Sequence, residues 1–509
     1  MPGNAIAQQL AALPAEVQHR DLLISSAGRR THADAREGMF AYAGWLSAEG
    51  VRAGERIAIC LPKTAETVQL IYGVLAVGAA YVPLQYPGNA ARAVQILGAI
   101  RPALLVTTRA MAAAIRQAGP GAGAPRIVEV DEDEAALAAL HRGIPPRYAI
   151  AAVEPTDLGV VFFTSGSTSA PKGVMWSQRG LATSVSATAL RRGTTAADRL
   201  MSVAPLHYSA SCEIFYPVMA GAGVYLCSER ETLFADRLAA LLEREATTIW
   251  GSTSTALRLL VEGGKLDSRG LGVIRVVEFF GEPMPVAILR QAMAAMPNGD
   301  FRFIYGATEA FNVTEYRVPR PMTSETDALP LGFPCTGYDF SLRDEAGMAV
   351  RPGETGEICI AGPGVAMGYW NEPQGIAMRR LAGVANSFRT GDMARTDEAG
   401  LIRFAGRADQ MVKIRGHRFE LGELEAIARS EPRVSEAVGF VREDTVVLAL
   451  LSAVRDDERS EITDAVHRLC LQRLPRFAQP QRITVRREFP LLASGKVDRR
   501  ALEALVLEP

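Results

Sequence analysis

The chain has 509 residues, 48% hydrophobic and 22% charged, with a formal net charge of -1. That length predicts more than one domain with large cores, and the near-neutral balance excludes the basic excess of a typical nucleic-acid binder, so any anionic ligand must be met by local groups. Six scattered cysteines without a C-x-x-C pair indicate neither a zinc site nor a disulfide framework and fit a reducing cytoplasm. The N-terminus has no basic region leading into an apolar core, so it does not read as a secretory signal. The longest apolar stretch, 70–84, is interrupted by Gly73 and Gly78, ends near Pro83, and falls short of the ~20 residues needed to cross a bilayer. A soluble, cytoplasmic protein is expected.

In chain order, apolar spacing predicts a helix over 34–48, a buried strand over 56–61, a helix over 64–77 and a strand over 81–84. The alternation recurs as a strand at 103–107, a helix at 110–117 and a strand at 126–130, with an exposed connection at 118–125. This is the pattern of an α/β domain with a largely parallel sheet. Strands are expected at 160–163 and 199–204, with Ser177 capping a helix that runs through Arg191 and a further helix over 213–220. Two strands, 276–280 and 301–304, lead into Gly281-Glu282-Pro283 and Tyr305-Gly306-Ala307-Thr308-Glu309. Ligands of open α/β sheets bind beyond the carboxyl ends of strands, so these segments are expected to converge on one crevice. From about 331 short strands and Gly turns predict a β-rich subdomain. Residues 1–408 are read as a large domain and 409–509 as a small mobile α+β domain, with helices at 421–429 and 461–473 and strands near Val438 and Val446.

One loop stands out, Thr164-Ser165-Gly166-Ser167-Thr168-Ser169-Ala170-Pro171-Lys172-Gly173, between a β-branched and aromatic run and a second apolar segment. Its backbone N–H groups, hydroxyls and single Lys supply the chemistry for holding a polyphosphate. The same composition also makes an ordinary surface turn. Its order is not that of a P-loop NTPase, which needs a hydroxyl directly after the Lys.

Five segments in order resemble the adenylate-forming superfamily, which includes peptide-synthetase adenylation domains, acyl- and aryl-CoA synthetases and luciferases. Residues Thr164 to Gly173 look like the family's phosphate loop, Tyr305 to Glu309 its nucleotide and Mg²⁺ motif, and Thr390-Gly391-Asp392 its ribose motif. Gly406-Arg407-Ala408-Asp409 with Val412 to Gly416 resembles its hinge, and Ser494-Gly495-Lys496-Val497-Asp498-Arg499-Arg500 its terminal catalytic-lysine loop. The resemblance implies that ATP and a carboxylic acid give an acyl-adenylate and pyrophosphate, and that a thiol then takes the acyl group. Thr164, Ser165, Gly166, Ser167, Thr168 and Lys172 would hold the β- and γ-phosphates, while Lys496 would attend the α-phosphate and the substrate carboxylate. Glu309 would hold Mg²⁺ and Thr308 the α-phosphate. Gly281, Glu282, Pro283 and Tyr305, with Gly306 and Ala307, would line the adenine slot, Tyr305 stacking on the base. Asp392, assisted by Arg407, would bind the ribose. Asp409 would be the hinge, and Gly416 would line a pantetheine tunnel in the transfer state.

Within the superfamily, Val77 to Leu84, Gly281 to Pro285 and Leu421 to Glu425 resemble stand-alone amino acid–carrier protein ligases. A separate phosphopantetheinylated carrier protein is the expected partner, in secondary metabolism, because little chain follows Lys496. CoA as acceptor is the alternative, and a non-catalytic nucleotide-binding regulator a third reading. The sequence departs from the amino-acid activators at Pro205 to Ser211. They carry an Asp there for the substrate's α-ammonium group, whereas this chain has Ser209, or Tyr208 if a deletion falls earlier. The acid therefore lacks that amine, carries it elsewhere, or uses another carboxylate such as Glu315. Candidate pocket residues are His207, Tyr208, Ser209, Ser211, Phe280, Ala307, Phe311, Asn312 and Val313; His207 reads equally as a packed core histidine.

Overall fold

A computed structural model describes the chain except residues 1–4, 120–124, 147, 165–170, 283, 323–328, 372–379, 385, 408–410, 492–496 and 508–509, and the side chains at 407, 411, 418, 420 and 456. Two large mixed sheets dominate. In the seven-stranded sheet, Leu158–Thr164, Ala80–Pro83, Arg56–Cys60, Leu104–Thr108 and Arg126–Val130 lie side by side and parallel. The nine-stranded sheet has a parallel run of its own: Asp300–Ala307, Val276–Phe280, Ile249–Thr253, Arg199–Ser202, Gly223–Leu226 and Asp21–Ser25. Apart from the edge strand Arg126–Val130, the parallel strands are largely buried, as expected when both faces of a sheet are covered.

Helix Ala65–Ala76 is buried at every position, and its N-cap Thr64 accepts from the Thr67 N–H. Helix His32–Ala48 runs beside it and begins with a capping box between Thr31 and Asp34. The two approach so closely at Gly73 that a Cβ there would lie 2.7 Å from that of Tyr42. Polar links join the two sheet systems: Tyr72 Oη donates to Ile214 O at 2.6 Å, and Lys63 Nζ to Ser202 O at 2.8 Å and Ala204 O at 2.9 Å.

A four-stranded antiparallel sheet, Asp339–Arg343, Gly356–Ala361, Ser387–Thr396 and Ile402–Arg407, forms the β-rich part. Beyond it come a hairpin, Met411–Ile414 with His417–Glu420, and a three-stranded sheet of Glu436–Arg442, Thr445–Leu451 and Arg482–Arg486. The small sheet has two covered faces. Val446, Leu448 and Leu450 pack with Leu424, Ile462 and the hairpin residues Ile414 and Phe419. Val438, Phe440, Val447 and Ala449 pack on the other side with Leu502, Val506 and Val497.

Two local expectations change. The single helix over 213–220 is a 3-10 turn, Ser209–Ile214, followed by a short α-helix, Tyr216–Ala220; Pro217 has no N–H to continue the ladder and sits where a helix must begin. The strand expected to end at Ile304 runs on through Ala307 and returns as Ala310–Arg317, so Thr308 and Glu309 form the hairpin's turn. Thr164 pairs with Lys172 across antiparallel strands. Ser177 caps helix Gln178–Arg191 by accepting from the Gly180 N–H at 3.0 Å. All six cysteines are buried free thiols. Among the described residues, no helix is long and apolar enough to cross a membrane.

Candidate active site

The ends of strands Leu158–Thr164, Ile249–Thr253, Val276–Phe280 and Asp300–Ala307 open onto one cavity of about 700 Å³, closed from above by the hairpin residues Lys413, Arg415, Gly416 and His417. Of the sequence candidates, Thr164, Phe280, Gly281, Gly306, Ala307 and Thr308 line it, as do His207, Tyr208, Ser209, Phe311 and Asn312. Residues 165–168, Pro283, Asp409 and Lys496, and the side chain of Arg407, lie outside the described residues.

At the turn, the Thr308 carbonyl accepts from Trp176 Nε1 at 2.9 Å, and its hydroxyl lies 3.5 Å from that of Ser209. Trp176 stacks on Phe311 at 4.1 Å between ring centroids, tying this hairpin to the phosphate-loop strands. Glu309 is buried and accepts from Tyr369 Oη at 2.6 Å. Lys172 Nζ lies 6.0 Å from the centroid of the same Tyr369 ring. No group of three or more His, Cys, Asp or Glu arranged for a metal occurs among the described residues. A single carboxylate nevertheless fits Mg²⁺, which is commonly held by one or two protein carboxylates with phosphates and water completing the shell.

Tyr305 donates its hydroxyl to Asp392 Oδ2 at 2.5 Å, and Asp392 N donates to Thr390 Oγ1 at 3.0 Å. The two sequence motifs thus meet in space. Arg407 is the direct cross-strand partner of Asp392. The ring of Tyr305 is buried and does not itself line the cavity; Lys413 Nζ lies over it, 5.8 Å from the centroid.

Three expectations about the acid pocket are corrected. Glu315 is not a spare carboxylate: it pairs with Arg191, with Arg302 at 3.4 Å and with Arg317 at 3.0 Å, away from the cavity. Ser211 turns its hydroxyl to Leu206 O at 2.9 Å, because a buried hydroxyl needs a partner. Val313 belongs to the core, since strand alternation sends it to the face opposite Asn312. Asn312 has φ +50° and donates to Thr188 Oγ1 at 2.7 Å.

The sequence reading missed the floor. Glu213, Arg192 and Tyr216 line the cavity's inner end. Arg192 donates to Glu278 Oε2 from Nε at 2.8 Å and Nη2 at 2.6 Å, and its guanidinium lies 4.6 Å over the Tyr216 ring. Burial would raise the Glu278 carboxyl, but Arg191 and Arg192 overcome it and hold it at about 2. Glu213 is 5% exposed, and its Oε2 is sealed from the cavity with the Ser202 hydroxyl beside it. Burial pushes its carboxyl upward, with Arg192 and Lys63 opposing. The available signal was one carboxylate in the apolar run Cys212-Glu213-Ile214-Phe215-Tyr216.

The roof is held by specific contacts. Gly416 N donates to Glu282 Oε1, and Thr255 Oγ1 also donates to Glu282. Gly416 has φ +82°, and a Cβ there would lie 2.6 Å from Thr253 Cγ2, so both conformation and space favour glycine. An aromatic ladder continues the contact: His207 to Tyr208 at 4.0 Å, Tyr208 to His417 at 4.5 Å and His417 to Phe477 at 4.4 Å. Burial lowers the imidazole pKa to about 3 at His207 and about 4 at His417.

These features define a two-sheet α/β enzyme fold with one crevice roofed by a small C-terminal unit. The chain belongs to the AMP-binding enzyme family, whose profile matches residues 10–370. It is 30% identical over 462 residues to an L-proline--[L-prolyl-carrier protein] ligase of Pseudomonas fluorescens, covering 90% of each chain. It is 34% identical over 414 residues to the pyochelin synthetase PchF of Pseudomonas aeruginosa, covering 80% of this chain but 22% of that one. The amide bond synthetase McbA of Marinactinospora thermotolerans shares the fold, with a TM-score of 0.85, 23% identity and 99% coverage of both chains.

Proposed function

We propose that this protein activates a small carboxylic acid with ATP and passes the acyl group to the phosphopantetheine thiol of a carrier protein. The observation that carries the reading is the single cavity shared by Thr164, Thr308, Gly281 and the small unit's Gly416. In the first step a carboxylate oxygen attacks the α-phosphorus, the bond to the β-phosphate oxygen breaks, and pyrophosphate leaves. Thr164, Lys172 and the loop between them hold the departing phosphates, and Thr308 donates to the α-phosphate. Asp392, oriented by Tyr305, accepts from the ribose hydroxyls. Glu309 is the residue that would hold Mg²⁺, and the ion supplies neutralising charge on the phosphate oxygens.

Lys496 supplies positive charge to the reacting carboxylate and phosphate, and then withdraws as the small unit turns about Asp409. In the second step the thiol sulfur attacks the acyl carbon, AMP leaves, and the thiol proton passes to solvent. The hairpin at the roof, with Gly416 against Gly281, is the arrangement suited to this second step. The identity with the carrier-protein ligase supports a carrier as acceptor.

The decisive test is ATP–pyrophosphate exchange across amino, hydroxy, aryl and alkyl acids with wild type and Lys496→Ala. Exchange that depends on one class of acid and disappears in the variant is expected; exchange surviving the variant defeats the mechanism. Acyl transfer from the activated acid is then compared between CoA and a phosphopantetheinylated carrier protein, and preference for CoA overturns the acceptor assignment.

A further inference from the structure

We propose that Asn89 and Arg92, at the start of helix Ala90–Ile100, are positioning residues for acyl transfer: they hold the small C-terminal unit over the cavity for the second step and take no part in the first. The inference rests on the two-step reading above and names how one of its two arrangements is held.

Helix Ala90–Ile100 belongs to the large unit, where Ala93, Ile96, Leu97 and Ile100 pack with the sheet residues Ala58, Val82 and Leu105. Its cap faces the small unit, and Asn89 serves two helices at once. Asn89 Oδ1 accepts from the Arg92 N–H at 3.1 Å, while Nδ2 donates to Gln472 O at 2.7 Å. Gln472 lies in the last turn of helix Arg459–Arg473, whose final carbonyls have no partner within the helix. Three residues on from Asn89, Arg92 Nη1 donates to Glu423 Oε1 at 3.4 Å, on helix Leu421–Arg429. These two side chains are 12% and 0% exposed.

Another ion pair joins the units, Arg258 to Asp444 at 3.6 Å, but its side chains are 38% and 25% exposed. Water and salt screen such a pair and leave it worth little, whereas Arg92 and Glu423 meet where water is largely excluded. Contacts made in one arrangement only shift the balance toward that arrangement by their free-energy difference. On the two-step reading the small unit turns to bring Lys496 to the α-phosphate, and Glu423 and Gln472 travel with it while helix Ala90–Ile100 stays with its sheet. The bonds to Asn89 and Arg92 are therefore made in the present arrangement, with Gly416 against Gly281 and suited to transfer, and are broken for adenylation.

The test compares acyl transfer, to CoA and to a phosphopantetheinylated carrier protein, with ATP–pyrophosphate exchange on the same preparations, using the acid that wild type activates best. The variants are Arg92→Met, Glu423→Gln and Asn89→Asp, the last keeping the capping oxygen and losing the Nδ2 donor. Each is expected to lower kcat for transfer about fivefold to tenfold while exchange stays within about twofold. Because Arg92 and Glu423 act as one pair, the Arg92→Met/Glu423→Gln double variant is expected to lose no more than the worse single variant. Arg258→Met, at the exposed pair, is expected to leave transfer within about twofold. Loss of exchange and transfer together, multiplicative losses in the double variant, or an equal loss in Arg258→Met overturns the proposal. So does a raised acceptor KM in Arg92→Met with Glu423→Gln silent, which assigns Arg92 to the acceptor's phosphate. Should Arg92→Met fail to fold, Asn89→Asp and Glu423→Gln decide, and normal transfer in both overturns it. Wild type that exchanges with no acid defeats the adenylating function, and wild type that exchanges but acylates neither thiol defeats the two-step reading. Transfer indifferent to these variants defeats this inference only.

Discussion

The hydroxyl of Tyr305 fixes the carboxylate of Asp392 in a buried setting. Removing it in Tyr305→Phe leaves that carboxylate short of a donor, at a cost of about 1–3 kcal/mol. ATP KM is expected to rise about tenfold or more, read by exchange kinetics at varied ATP with the acid saturating. Both residues were legible in the sequence, because their motifs require particular side chains at fixed spacing. Their mutual bond was not, since 87 positions separate them. Glu213 escaped the sequence reading for a related reason: burial beside Arg192 and Lys63 is decided by segments far apart in the chain, and a lone Glu in an apolar run does not say which way it faces.

At the scale of elements, the hairpin Met411–Ile414 and His417–Glu420 meets the large sheets through glycine on glycine, with Gly416 opposite Gly281. A Gly416→Val side chain would strike Thr253 and would sit at a positive φ that β-branched residues avoid. The ratio of thioester formation to ATP–pyrophosphate exchange is expected to fall at least about tenfold, measured on one preparation with radiolabelled acid and carrier. Strand and helix placement was legible wherever apolar periodicity is local, as in helix Leu421–Arg429 and strand Arg126–Val130. It failed at Ser209–Ile214, where packing under the cavity tightens the turn and Pro217 resets the helix.

For the molecule as a whole, His207 and His417 tie stability to pH. Both are held neutral by burial, at about 3 and about 4 against an ordinary 6.5, and at His207 the nearby Arg92, and His417 once protonated, further disfavour a charge. The unfolded chain takes up protons below about 6.5 that the folded chain refuses, so their contribution is complete above that pH and is lost as pH falls toward 4 and then 3. A pKa that differs by one pH unit between the folded and unfolded chains corresponds to about 1.4 kcal/mol. The melting temperature is expected to drop steeply between pH 6.5 and 4, and His417→Phe is expected to flatten the drop; an unchanged slope in that variant assigns the acid sensitivity to other groups.

The small three-stranded sheet carries the docking hairpin on the side of Ile414 and Phe419, and Val497, next to Lys496, on the side of Phe440. On the proposed mechanism, one body with two working sides presents them in turn. On the proposed mechanism the durations of the two half-reactions therefore add within each cycle, together with two reorientations. Speeding either chemical step alone then brings diminishing returns, and solvent viscosity, which slows rotation, becomes a variable to which overall throughput responds.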